Sequence, residues 1–201
     1  LPVFLIFDLI SLPSIIMNFQ PFPVLETDRL LLRHIDEKDA ADIFLIRSDA
    51  EVMRYIPRPI AKTLDDVYGL IELLENFLYK GERINWGIIL KETNQLVGMI
   101  GYVNIKPDHF RAEVGYALAA AHHRKGIMRE ALVRIIQYGF EEMQLHSIEA
   151  IVDADNKASS QLLLDVGFKQ EAYFREDFYF NVSFRNSVHY GLLGTDIIRA
   201  K

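Results

Sequence analysis

The stretch AAAHHRKGIMREAL, residues 119–132, places His122, His123, Arg124 and Lys125 directly before Gly126, where an amphipathic helical pattern begins. The residues before it, RAEVGYAL (111–118), alternate as a strand does, so the local order is strand, basic turn, glycine, helix. The first N–H groups of a helix lack internal partners, and the macrodipole adds partial positive charge there. A glycine lets the backbone approach an anion closely. Four potentially cationic side chains at one helix entrance therefore read as an anion site, with a diphosphate as the natural guest. The competing reading is an exposed basic turn before a helix-terminal glycine. Two common phosphate loops are excluded, because neither G-x-x-x-x-G-K-S/T nor G-x-G-x-x-G occurs here.

Working outward, TDRLLLRHI (27–35) reads as a strand and DEKDAADIFLIRS (36–48) as a helix with Asp36 as N-cap. Thr63 caps a second helix, LDDVYGLIELLENFLYK (64–80), with Gly81 just beyond its end. INWGIIL (84–90) and LVGMIGYVNI (96–105) flank the turn KETNQ and form an antiparallel hairpin. The helix from Gly126 runs to about Met143, with Glu130–Arg134 as an i,i+4 pair on its wet face. SIEAIVD (147–153) is a strand, and residues 156–166 form a short helix closed by Gly167. Asn156 starts that helix, and Ser159, three positions later, shares its face. Two last strands follow at 168–180 and 184–193, and the aromatics of YFREDFYF (173–180) read as core and pocket wall rather than a base-stacking surface. The order predicts a mixed sheet with helices on it in one α/β domain.

The bulk numbers narrow the function. A chain of 201 residues, half of them hydrophobic, suits one globular domain. A net charge of −6 argues against general nucleic-acid binding and mildly favours a cationic small-molecule or peptide partner. The absence of cysteine excludes disulfides, thiolate metal sites and a Cys nucleophile, and it fits a reducing cytoplasm. No His/Asp/Glu cluster has metal-site spacing, so no metal is expected. Residues 1–16, LPVFLIFDLISLPSII, are apolar but too short to span a bilayer, and they lack the marks of a signal peptide. They read as a start-site artefact or tail ahead of Met17, leaving residues 17–201 as the single domain. A membrane-surface anchor or a hydrophobic arm on a partner chain are the alternatives.

Five stretches together resemble the GNAT superfamily of N-acetyltransferases, most closely its ribosomal-protein N-terminal (alanine/serine) acetyltransferase branch. They are LETDRLLLRHIDEKDAADIF, LVGMIGYVNI, AEVGYALAAAHHRKGIMREAL, DADNKASSQLLLDVGFKQEA and SVHYGLL, and the likeness covers residues 24–193. It implies a GNAT-like fold, a mixed and mostly antiparallel sheet of about six to seven strands with about four helices. It also implies acetyl transfer from acetyl-CoA to a primary amine by direct attack in a ternary complex. The acceptor would be a protein N-terminus or a small-molecule amine, and the enzyme a monomer or homodimer in the cytoplasm. The alternative is a non-catalytic acyl-CoA-binding or sensing module.

The resemblance also assigns roles. The family's cofactor loop, Gln/Arg-x-x-Gly-x-Gly/Ala, here reads His123, Arg124, Lys125, Gly126, Ile127, Met128. It keeps the glycine but changes both ends. The backbone of Tyr116, Ala117 and Leu118 matches the strand that binds pantetheine, and Asn156 matches a residue that meets the pantetheine arm. The tyrosine that many members use as acid is replaced by Leu163. Ser159, which matches a serine of the ribosomal-protein branch, becomes the candidate acid or hydrogen-bond donor. Glu113 ranks first as general base, with Glu176 and Asp177 behind it; a surface or salt-bridged strand role is the alternative for Glu113.

Overall fold

The structure, a computed structural model, describes residues 17–198. The expected leader, residues 1–16, lies outside the described residues. One eight-stranded sheet carries the fold, in the order β1-β2-β3-β4-β5-β6-β8-β7. The strands are β1 (Leu25–Glu26), β2 (Leu30–Arg33), β3 (Ile84–Leu90), β4 (Gln95–Lys106), β5 (Arg111–Leu118), β6 (Ser147–Asp153), β7 (Lys169–Phe180) and β8 (Ser183–Leu193). Every neighbouring pair is antiparallel except β5 with β6. The sheet is mixed, as expected, with slightly more strands.

The extra strand comes from residues 25–33. Thr27 Oγ1 accepts a hydrogen bond from the Leu30 backbone N–H at 3.0 Å. That local bond turns the chain, so that β1, just ahead of the expected strand (27–35), folds back on β2 within it. Six α-helices complete the described residues: α1 (Ala40–Arg47), α2 (Ala50–Met53), α3 (Leu64–Tyr79), α4 (Ile127–Glu141), α5 (Lys157–Asp165) and α6 (Gly194–Ile198). Thr63 caps α3 through a reciprocal box with Asp66. Asp36 caps a short 3-10 turn ahead of α1.

Alternation along the central strands sends side chains to two cores. Ile88, Ile100 and Tyr102 pack with Ala131, Leu132, Ile135 and Leu163, on the α4 and α5 face. Ile89 and Met99 pack with Ile43, Ile46, Val67 and Ile71, on the α1 and α3 face. Tyr102 anchors α4 by donating its hydroxyl to the Ile135 carbonyl at 2.7 Å. The edge strand β7 departs from expectation. Tyr173, Phe174 and Tyr179 are exposed rather than core or pocket wall: β7 lies at the sheet edge, and none of the three joins either buried core.

The parallel pair positions the site. β5 and β6 pair only from Arg111–Ser147 to Glu113–Glu149 and then separate. Beyond that point, β5 from Val114 to Leu118 is still paired to β4 but has no strand on its other side. The sheet therefore opens in its middle rather than at its rim.

Candidate active site

A cavity of about 370 Å³ occupies this opening. Glu113 to Ala117 of β5, Ala150 to Asp153 of β6, and Asn156 and Ser159 at the start of α5 line it. Its volume falls in the range of small-molecule sites, about 300–1,000 Å³.

Tyr116 and Ser159 meet inside it. The phenol oxygen and Ser159 Oγ lie 2.7 Å apart. Burial pushes the phenol up to about 12, against an opposing effect of the Ser159 hydrogen bond. Asn156 holds Ser159 in place, accepting the Ser159 backbone N–H on its Oδ1 at 3.1 Å as N-cap of α5. Leu163, four residues on from Ser159, is fully buried in the core and takes no part in the cavity.

Glu113 lines the same cavity, opposite Glu149 across the β5–β6 pair. The two carboxylates have opposite environments. Burial raises Glu113 above the usual carboxylate range; Glu149 adds to this, while Asn104, Lys106 and His189 work against it. Burial also acts to raise Glu149, but hydrogen bonds from Lys106 and Arg111 and their charges outweigh it and hold it low. Lys106 Nζ sits 2.8 Å from Glu149 Oε1, and Arg111 Nη2 2.8 Å from Oε2. Across one strand pair, Glu113 thus holds its proton more tightly than Glu149. Glu176 and Asp177 lie outside the cavity lining, where β7 shifts register between Phe174 and Phe178. Asp177 Oδ2 accepts the Ser187 hydroxyl at 2.6 Å.

The basic turn has the backbone an anion site needs. Arg124 and Gly126 both adopt positive φ, and Gly126 is the N-cap of α4 with no side chain capping the helix. The orphan N–H groups there are consequently open to a ligand. Arg124 and Lys125 are exposed, whereas Ile127 and Met128 bury their side chains and offer only backbone. The His123 ring turns back to the Leu118 carbonyl, with Nε2 at 2.9 Å, and ties the turn to the end of β5. His122 sits beside them; burial and then the Lys125 charge lower its affinity for a proton.

Arg29 is a member of this turn that sequence reasoning missed. Its Nη1 donates to the Lys125 carbonyl at 3.1 Å, and its Nη2 pairs with Glu130 Oε2 at 2.7 Å. Thr27 adds a 2.5 Å hydrogen bond to Glu130 Oε1. The expected Glu130–Arg134 helix pair is thus replaced by a long-range one, since Glu130 points at the β1–β2 turn rather than along its own helix. No local pattern near Arg29 announces this.

These features fit a cofactor with a diphosphate and an extended amide-bearing arm. The turn supplies N–H groups and cations, and the separated β5 edge supplies unpaired backbone. Residues 29–169 match the acetyltransferase (GNAT) domain. This chain belongs to the GNAT acetyltransferase family. The uncharacterized N-acetyltransferase YoaA of Bacillus subtilis (strain 168) is 38% identical over 80% of this chain and 90% of its own length. The ribosomal protein uS5-alanine N-acetyltransferase of Escherichia coli (strain K12) is 26% identical over 76% of this chain and 81% of its own. The crystal structure of a GNAT-family acetyltransferase from Bacillus anthracis superposes with a TM-score of 0.76 at 28% identity, covering 85% of this chain and 98% of that one. As a GNAT member the chain is an acyltransferase that uses acetyl-CoA and moves acetyl groups to amines. Among the described residues, no group of three or more His, Asp or Glu side chains is placed to hold a metal ion. No described helix is long and apolar enough to cross a membrane.

Proposed function

We infer that this GNAT acetyltransferase transfers acetyl directly to a primary amine in a ternary complex, with Glu113 and the Tyr116–Ser159 pair on opposite duties. The observation that carries this reading is the cavity itself. It brings a carboxyl group of raised proton affinity and a buried hydroxyl pair to one opening in the sheet.

Holding the cofactor falls to Arg124, Lys125 and the backbone N–H groups of residues 126–128, with the β5 edge at Tyr116, Ala117 and Leu118 and the amide of Asn156. His123 contributes by fixing the turn. When bound, acetyl-CoA supplies an acetyl carbonyl that bonds to the amine nitrogen as its C–S bond breaks, leaving a thiolate and an ammonium proton to be removed. Glu113, in its ionised form, accepts that proton directly or through water. Tyr116 donates a hydrogen bond toward the leaving sulfur, and Ser159 supports the phenol oxygen. The β5 backbone orients both reactants, which supplies much of the rate. Direct attack needs no protein nucleophile, which fits a chain without cysteine.

The test is thiol release from acetyl-CoA over a panel of amines, including peptide N-termini, with products read by mass. Sustained, amine-dependent release with a mass gain of one acetyl group supports the reading. Hydrolysis alone, without an acetylated amine, refutes it.

A further inference from the structure

The cavity has a second set of walls that the cofactor residues do not supply. Arg47 ends α1, Arg58 lies in the loop after α2, and Arg83 immediately precedes β3, and all three residues line the cavity that holds Glu113, Tyr116 and Ser159. Tyr55 and Asn85 lie with them. In a chain of 28 acidic and 22 basic residues, some cations find carboxylate partners. Arg29, Arg33, Lys106, Arg111 and Arg185 all do.

Arg47, Arg58 and Arg83 do not. Among the described residues, no carboxylate lies within ion-pair distance of any of the three. They are held by neutral groups instead. Arg47 Nη2 reaches the Pro59 carbonyl at 3.5 Å, and Arg58 Nη1 the Pro57 carbonyl at 2.9 Å. The Arg83 guanidinium stacks 3.9 Å above the Phe77 ring. Arg47 is half-buried, and burial first and then the Arg58 charge disfavour its protonated form, so Arg47 and Arg58 repel each other. Two carboxylates share the cavity, yet neither answers these cations. Asp153 is met by Arg185 at 3.7 Å, and Glu113 faces Lys106 and His189.

Unneutralised guanidinium groups in a concave site are suited to bidentate binding of carboxylate or phosphate. Their place on α1, the following loop and the approach to β3 is apart from the residues assigned to acetyl-CoA. We propose that Arg47, Arg58 and Arg83 bind an anionic group on the acceptor, so that the substrate is an amine bearing a carboxylate or phosphate rather than a polyamine. This rests on the acetyltransferase reading above and names the acceptor's chemistry within it. A free amino acid and the N-terminus of an acidic peptide share that chemistry.

The test compares matched acceptors on the full chain with acetyl-CoA: glutamate against glutamine amide, a peptide with acidic second and third residues against its glutamine counterpart, O-phosphoethanolamine against ethanolamine, and spermidine. The expected result is a kcat/KM higher for the anionic member of at least one pair by roughly ten- to a hundredfold, the size of a charged hydrogen bond. The pair that responds distinguishes amino acid, peptide and phosphate sources. Arg58→Ala and Arg83→Ala should lower kcat/KM for that anion much more than for its neutral match, mainly through KM, and Arg58→Lys should restore part of it. Arg58 is exposed, so its substitution leaves the core intact. Equal use of both members of every pair, a preference for spermidine, or variants that weaken both members alike would overturn the proposal while leaving acetyl transfer standing. No acetylated product from any acceptor, with acetyl-CoA bound, would defeat the acetyltransferase reading and this inference together.

Discussion

Replacing Tyr116 by Phe removes a single oxygen from the cavity wall. That oxygen lies 2.7 Å from Ser159 Oγ, in a phenol that burial has pushed up to about 12. An ordinary thiol has a value of about 8.5. Handing the phenol proton outright to a thiolate would run uphill from about 8.5 to about 12, a cost of ~5 kcal/mol. Tyr116 therefore serves better as a donor that keeps its proton than as the acid that loses it. A hydrogen bond to a charged acceptor contributes about 1.5–3 kcal/mol. Tyr116→Phe should then lower kcat roughly ten- to 150-fold, with little change in acetyl-CoA affinity. Ser159→Ala should cost less, roughly threefold to tenfold, because it removes a neutral support of about 1 kcal/mol and leaves the phenol. Since the two hydroxyls act in series, the double variant should resemble Tyr116→Phe alone. Thiol release gives kcat, and calorimetry gives the acetyl-CoA Kd. A Ser159→Ala defect larger than that of Tyr116→Phe, or a Tyr116→Phe enzyme with native kcat, would refute this ordering.

Gly126→Asp should weaken acetyl-CoA binding in calorimetry well beyond Gly126→Ala. Both carry the left-handed backbone cost of about 1–2 kcal/mol at φ +75°, but only Asp sets a negative charge at the α4 entrance. Glu113→Gln should lower kcat and abolish an acid limb of the pH profile that lies above the usual carboxylate range. Because the folded value is raised, stability falls as pH climbs from the unfolded to the folded value. Glu113→Gln should accordingly unfold at slightly higher denaturant at neutral pH. Gly139→Ala, mid-helix and ordinarily stabilising, should instead destabilise by about 1–3 kcal/mol in urea, since the new methyl would clash with the Tyr102 ring, 2.9 Å from Cζ. A chain beginning at Met17 should keep cooperative unfolding and native acetyl-CoA affinity, as Met17 and Phe19 already pack on the core; loss of either would show that residues 1–16 are needed.

What the sequence determined by itself is local and periodic. The alternation in residues 84–90 and 96–105 yields β3 and β4, and the 3.6-residue pattern after Gly126 yields α4. A glycine before a helix, an asparagine cap at Asn156 and a box at Thr63 are encoded within a few residues, so they could be read directly. The basic turn and the start of α5 were legible for that reason. Tertiary structure decided what those pieces face. Tyr116 and Ser159 are 43 positions apart, and their pairing depends on β5 and β6 diverging after Glu113. Glu113 and Glu149 look alike as strand carboxylates; only packing gives Lys106 and Arg111 to one and burial without an ion pair to the other. Glu130 had a plausible partner one helical turn away, yet the β1–β2 turn offers Arg29 at 2.7 Å and Thr27 at 2.5 Å together. The three cavity arginines come from separate elements with no shared spacing. Backbone periodicity is set by neighbours along the chain, whereas the charge of a cavity is set by which side chains the fold leaves without a partner.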